Sequence, residues 1–154
     1  MIFKLIHQLQ DDLITSVGPN SSYSDKVENI YIDVPKSPSD NIFIGMAGAQ
    51  KVDSDYEIGK KIATIFTYSI NLIIAVNHSD VFAGKELLEK IERRVIKSFN
   101  TSNLTTLEDT TDDITERVLD FSLKTTNYQP NIYPDNNLIH HFIMTLEVRT
   151  QLEL

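Results

Sequence analysis

Residues 137–154, NLIHHFIMTLEVRTQLEL, decide how this chain is read. Leu138, His140, Phe142, Met144, Leu146, Val148 and Leu152 fall on one side of a period of two; Ile139, His141, Ile143, Thr145, Glu147, Arg149, Gln151 and Glu153 fall on the other. Successive side chains of extended backbone point to opposite faces, so the stretch predicts a strand. His140 and His141 then cannot reach one metal ion without a bulge, and no cysteine is present to complete a zinc set. His140 is expected to be a hydrogen-bonded interior histidine and His141 an exposed one. No catalytic, cofactor-binding or metal-ligating residue is assigned, and an enzyme is not expected.

A strand of this length needs neighbours, and the preceding chain supplies them. Thr64 to Val76 alternates with Phe66, Tyr68, Ile70, Leu72, Ile74 and Val76 on one face, which predicts a long central strand. Val118 to Thr125 predicts a half-buried strand, with Leu119, Phe121, Leu123 and Thr125 alternating against Val118, Asp120, Ser122 and Lys124. Shorter β-type runs at Asn29 to Val34 and Ile42 to Ala47 flank Pro35 and Pro38, which exclude a regular ladder between them. The stretch Gly45-Met46-Ala47-Gly48 reads as a turn or bulge, and 49–60 as a charged, exposed hairpin arm or extended loop. Residues 100–116 read as an acidic connection anchored by Leu104, Leu107 and Ile114, and 127–137 as a loop.

Two segments carry helical spacing instead. Ile2, Ile6, Leu9, Leu13 and Val17 form one stripe that Gly18-Pro19 stops. Leu87, Leu88, Ile91, Val95 and Phe99 form another, opened by the capping side chains of Asn77 to Asp80, with i,i+4 charge pairs at Glu86–Lys90 and Glu89–Arg93. The fold class is therefore α+β: a mostly antiparallel sheet of about four or five strands, packed by an N-terminal helix (2–17) and a central helix (80–99). Residues 1–154 are read as a single domain, with the loop 19–29 and the arm 49–60 expected to be mobile. Within 19–29 only Tyr23 is expected to touch the core.

Other chemistry-bearing clusters have simpler readings. His78-Ser79-Asp80 holds the residue types of a hydrolase triad, but three consecutive residues do not place a base on a nucleophile, and a helix cap accounts for them. Gly45-x-x-Gly48-x-x-Lys51 and Gly59-Lys60-Lys61 lack the spacing of a phosphate loop. Glu108, Asp109, Asp112, Asp113 and Glu116 lack the ligand order of a calcium loop and are read as a solvated acidic loop.

Composition narrows the function classes. Twenty-two acids against 14 bases give a formal charge of −8, the wrong sign for a protein that binds nucleic acid by neutralising phosphates. No secretory leader is expected, and the longest apolar run, Leu72 to Val76, is far short of the roughly 20 residues of a membrane helix. No cofactor is implied. Long strand edges need partners, and closed self-association is one use for them.

The order of segments resembles the phage tail terminator, or tail-completion, family. It runs from an N-terminal helix, through a short strand at Ile30-Tyr31 with Pro35 and Pro38 behind it, to the strand IFIGMAG, a charged arm and the long strand IFTYSINLIIAV. The helix AGKELLEKIERRVIKSF, then LDFSLKTTNY and NLIHHFIMTLEV complete it. The resemblance spans nearly the whole chain and rests on element order and length. It implies a structural virion protein, assembled in the host bacterial cytoplasm, that forms a hexameric ring. The ring caps the tail tube, stops addition of tube protein and joins the tail to the head–tail connector protein. DNA would pass through an acidic lumen without specific binding, and no membrane partner is implied. Other neck or baseplate subunits, a small metal-dependent hydrolase built on His140 or His141, and a cellular adaptor module that stays monomeric are the alternatives.

Overall fold

The computed structural model describes residues 1–56, 64–125 and 131–153. In chain order the elements are helix α1 (Ile2–Ser16), strands β1 (Asn29–Tyr31), β2 (Ile42–Tyr56) and β3 (Thr64–Asn77), helix α2 (Val81–Asn100), and strands β4 (Thr106–Asp109), β5 (Ile114–Thr125) and β6 (Ile139–Glu153). The strands form one sheet in the order β1-β2-β3-β6-β5-β4. Every pairing is antiparallel except the short parallel one of β1 with β2.

The terminal segment lies in the middle of that sheet, paired with β3 from Asn77↔Ile139 to Ile65↔Gln151 and with β5 on its other side. This position explains its composition. Phe142, Met144, Leu146 and Val148 meet Tyr68, Ile70, Leu72, Ile74 and Val76 on the face that both helices cover. Helix α1 adds Leu5, Ile6, Leu9 and Leu13 to this core, and α2 adds Ile91, Val95 and Phe99. Burying each large aliphatic side chain stabilises the fold by about 1.5–3 kcal/mol relative to exposure, so the two stripes fix where the helices lie.

Helix α1 touches β1 and β2 near one margin of the sheet and β4 at the other, so the sheet curls beneath it. Bulges assist the bending. One falls in β2 between Ala47 and Gln50, where Gly48 has φ +60°, a backbone state that glycine adopts without steric cost. A second follows between Lys51 and Asp53, and a third lies in β5 between Val118 and Asp120.

A smaller apolar cluster occupies the opposite face. Phe43, Ala75, Tyr133 and Ile139 are buried there, and Phe43 meets the rings of Tyr31 and Tyr133 edge-on at 6.1 and 6.0 Å. Tyr133 donates its hydroxyl hydrogen to the Pro35 carbonyl at 2.7 Å, tying the two proline-bearing loops together across the sheet. Both faces are thus covered at this end, which is why Ile42-Phe43-Ile44 and Ile73 to Val76 are apolar without alternation.

The structure corrects several expectations. Among the described residues the sheet has six strands, slightly more than the four or five expected. Residues 49–56 continue β2 and pair antiparallel with β3, interrupted by the two bulges, which is the hairpin-arm alternative and excludes the extended loop; 57–60 lie outside the described residues. The acidic connection contains β4 and the start of β5, because Leu107 inserts into the core and draws Thr106–Asp109 into pairing with Ile114–Arg117. In the 19–29 loop Val27 is buried outright, its N–H bonded to the Val17 carbonyl, while Tyr23 is partly buried beneath the Arg94 guanidinium.

Candidate functional site

Strand geometry separates the two histidines. His140, in register with Val76, turns toward α2, and its Nε2 donates to the His78 carbonyl at 3.3 Å. Gly84 lets the helix pass over it: a Cβ there would stand 2.6 Å from His140 Cδ2. His141, in register with Ala75, turns to the other face and is partly exposed. The sequence His78-Ser79-Asp80 follows β3, and Asp80 caps α2. The Asp80 carboxylate accepts from the Ala83 N–H at 3.1 Å, and the Asp80 N–H donates to His78 Nδ1 at 3.0 Å. His78 and His140 therefore adjoin as parts of a helix–strand junction, and their hydrogen bonds are absorbed by it.

Of the five carboxylates at 108–116, four lie on β4 or its turn, and Glu116 does not share their setting. It is only 4% exposed and faces the core. Tyr68 donates to both its oxygens, at 3.0 and 2.8 Å, and Thr150 donates at 2.7 Å. Three strands, β3, β5 and β6, are thereby bound through one carboxylate. Burial, and then the Glu116 carboxylate that holds its proton, push the Tyr68 phenol well above the ordinary tyrosine range. The sequence carried one signal of this triad: Thr150 and Glu116 continue the inward-facing parity of Val148 and Val118 with polar side chains.

Asp40 is a second buried carboxylate, held by Asn29 and by the Tyr31 hydroxyl. The hydrogen bond to Asp40 raises the Tyr31 pKa, with burial adding to it. Glu116 is occupied by donors from β3 and β6, and Asp40, in the loop before β2, by two donors from β1, which suits registration of the sheet. Among the described residues, no three His, Asp or Glu side chains converge as metal ligands. Gly45, Gly48 and Lys51 sit in β2 beside β3, and Gly59-Lys60-Lys61 lies outside the described residues.

The surface is more distinctive than the interior. Phe82 is 88% exposed at the start of α2, beside Val81 at 53%. Leu138, 44% exposed, belongs to the same end of the molecule, since its carbonyl accepts from the His78 N–H at 2.9 Å. Phe3, on the first turn of α1, is 75% exposed. A groove of about 480 Å³ runs between α2 and β5, lined by Ile96, Phe99, Phe121, Leu123 and Met144, with Glu92 and Asn100 at its rim. No helix among the described residues is long and apolar enough to cross a membrane. No family profile matches the chain, and no curated protein matches it.

Proposed function

We propose that the chain is a structural assembly subunit of a phage tail, a tail terminator whose ring caps the tube and joins it to the head connector. The observation that carries this reading is the apolar end formed by Val81, Phe82 and Leu138. A phenylalanine left almost wholly in water, with two apolar neighbours, marks a surface made to be covered. Phe3 offers apolar surface on a different element, and a ring needs two unlike patches that meet head to tail. Element order supports the same reading, and so does the formal charge of −8: DNA sliding through an acidic lumen is repelled from the wall.

The action is steric. A ring seated on the last tube layer removes the surface to which the next tube subunit would add, and offers its opposite face to the connector. Negative-stain microscopy of the pure protein is expected to show closed rings, and Phe82→Asp to abolish them while leaving circular dichroism unchanged. Compact monomers at high concentration would count against the proposal. Rings that fail to bind the head-proximal end of isolated tail tubes would assign the subunit to another part of the neck or baseplate.

A further inference from the structure

Strand β5 has two halves. From Ile114 to Arg117 it is flanked by β4, and the Val118 N–H bonds to the Thr105 carbonyl. Beyond that point, from Leu119 to Thr125, the side away from β6 meets no backbone partner among the described residues. The bulge lies at the start of this stretch, so 120–125 is regular ladder, in unbroken register with β6 from Asp120↔Arg149 to Thr125↔Met144. Most open edges are protected by bulges, short length or inward charges. The open part of β2 carries two bulges, the second flanked by the charged residues Lys51 and Asp53; β5 from 120 onward carries none.

The sequence along this edge is Asp120-Phe121-Ser122-Leu123-Lys124, an acid, an apolar residue, a small polar residue, an apolar residue and a base. Read backwards it is complementary to itself. When two copies of β5 run antiparallel about a two-fold axis at Ser122, Asp120 of each faces Lys124 of the other, Phe121 faces Leu123, and Ser122 faces Ser122. Directly opposed residues in an antiparallel pair share a face of the sheet. Phe121 and Leu123 then lie on the side of the apolar groove, and the charged residues on the far side. There Asp120 is already bonded to Arg149 at 2.9 Å and Lys124 to Glu147 at 3.2 Å, so the contact would continue an existing row of alternating charges.

We propose that the partner of this edge is a second copy of the same chain, joined β5 to β5 into one continuous sheet through residues 119–125. The contact is independent of the ring described above, which uses the Phe82 end. A single short strand pair with a shallow groove buries less than a standard interface, so the dimer is weak and dissociates on dilution.

The absence of cysteine makes the test clean. Cα atoms of directly opposed antiparallel residues lie about 4.5–5.5 Å apart, within the span of a disulfide. Ser122→Cys is expected to give a covalent dimer under mild oxidation, with mass doubled on a non-reducing gel, whereas Ser54→Cys on β2 does not. Asp120→Lys in the Ser122→Cys background places like charges opposite one another twice and slows cross-linking roughly tenfold. Adding Lys124→Asp restores the opposition of unlike charges and the rate. A folded Ser122→Cys protein that stays monomeric, or that cross-links no faster than Ser54→Cys, overturns the proposal. So does an unchanged rate for Asp120→Lys. Phe82→Asp leaves the cross-link intact whether or not rings form, so the two proposals fail separately.

Discussion

At the scale of single residues, the carboxylate of Glu116 ties three strands of the sheet together. It accepts from two hydroxyls inside the core, those of Tyr68, 4% exposed, and Thr150, fully buried. Glu116→Ala should lower unfolding stability by roughly 2–4 kcal/mol, and Glu116→Gln by less, because the amide oxygen still accepts one bond. Denaturant titration of both variants checks the order. The tyrosines add a pH dependence. Burial raises Tyr68 and Tyr133, and the bond to Asp40 raises Tyr31, so the folded chain keeps phenol protons that the unfolded chain releases. Below about pH 10 both states are protonated and stability is unaffected. Above it stability falls as pH rises, by about 1.4 kcal/mol per pH unit for each proton retained. Unfolding midpoints between pH 9 and 11 should show this decline, and Tyr68→Phe should make it shallower.

At the scale of elements, the crossing of α2 over β6 depends on a gap the size of a methyl group. Gly84 is a helix-interior glycine, and replacing it with alanine would ordinarily stabilise a helix by about 1 kcal/mol. Here the new Cβ would meet the His140 ring, and such overpacking costs about 1–3 kcal/mol. Gly84→Ala should therefore destabilise the native protein, and should cost less in a His140→Ala background, where the His78 Cβ at 3.2 Å is the close neighbour that remains. Thermal melts of the four proteins in this cycle read the coupling. Both helices and the long strands were legible from their periods, and Asp80 was legible as a cap. Strand β4 was not: four residues with one buried leucine carry too little pattern, and pairing with β5 made the strand. The bulge at Gly48 was legible in kind, yet the ladder that resumes after it was hidden by the charges of Lys51 and Asp53, which an open edge strand tolerates on its solvent side.

At the scale of the whole molecule, the exposed aromatic side chains matter more than any cleft. If the Phe82 end is an assembly surface, Phe82→Asp removes oligomers while the melting temperature measured at low protein concentration stays within about 2 °C, since a surface substitution away from core contacts changes stability by no more than about 0.5 kcal/mol. Sedimentation velocity across a concentration series would record the loss. A fall in folding stability equal to the loss of assembly would show instead that Phe82 supports the fold. The candidate surfaces were only partly readable in advance. The need of long edges for partners follows from strand length, but Val81, Phe82 and Leu138 look like ordinary core residues in the sequence until the fold leaves them outside.

The sequence by itself determined the periodicities: which segments coil, which extend, and which side of each carries apolar groups, because these depend on neighbours two to four positions away. It also determined that adjacent histidines on one strand face apart. Tertiary structure alone decided the strand order, the curl beneath α1, the burial of Glu116 and Asp40, and the open edge that β5 keeps beyond Val118 among the described residues. Each of these depends on contacts between residues far apart in the chain, whose energies no local pattern records.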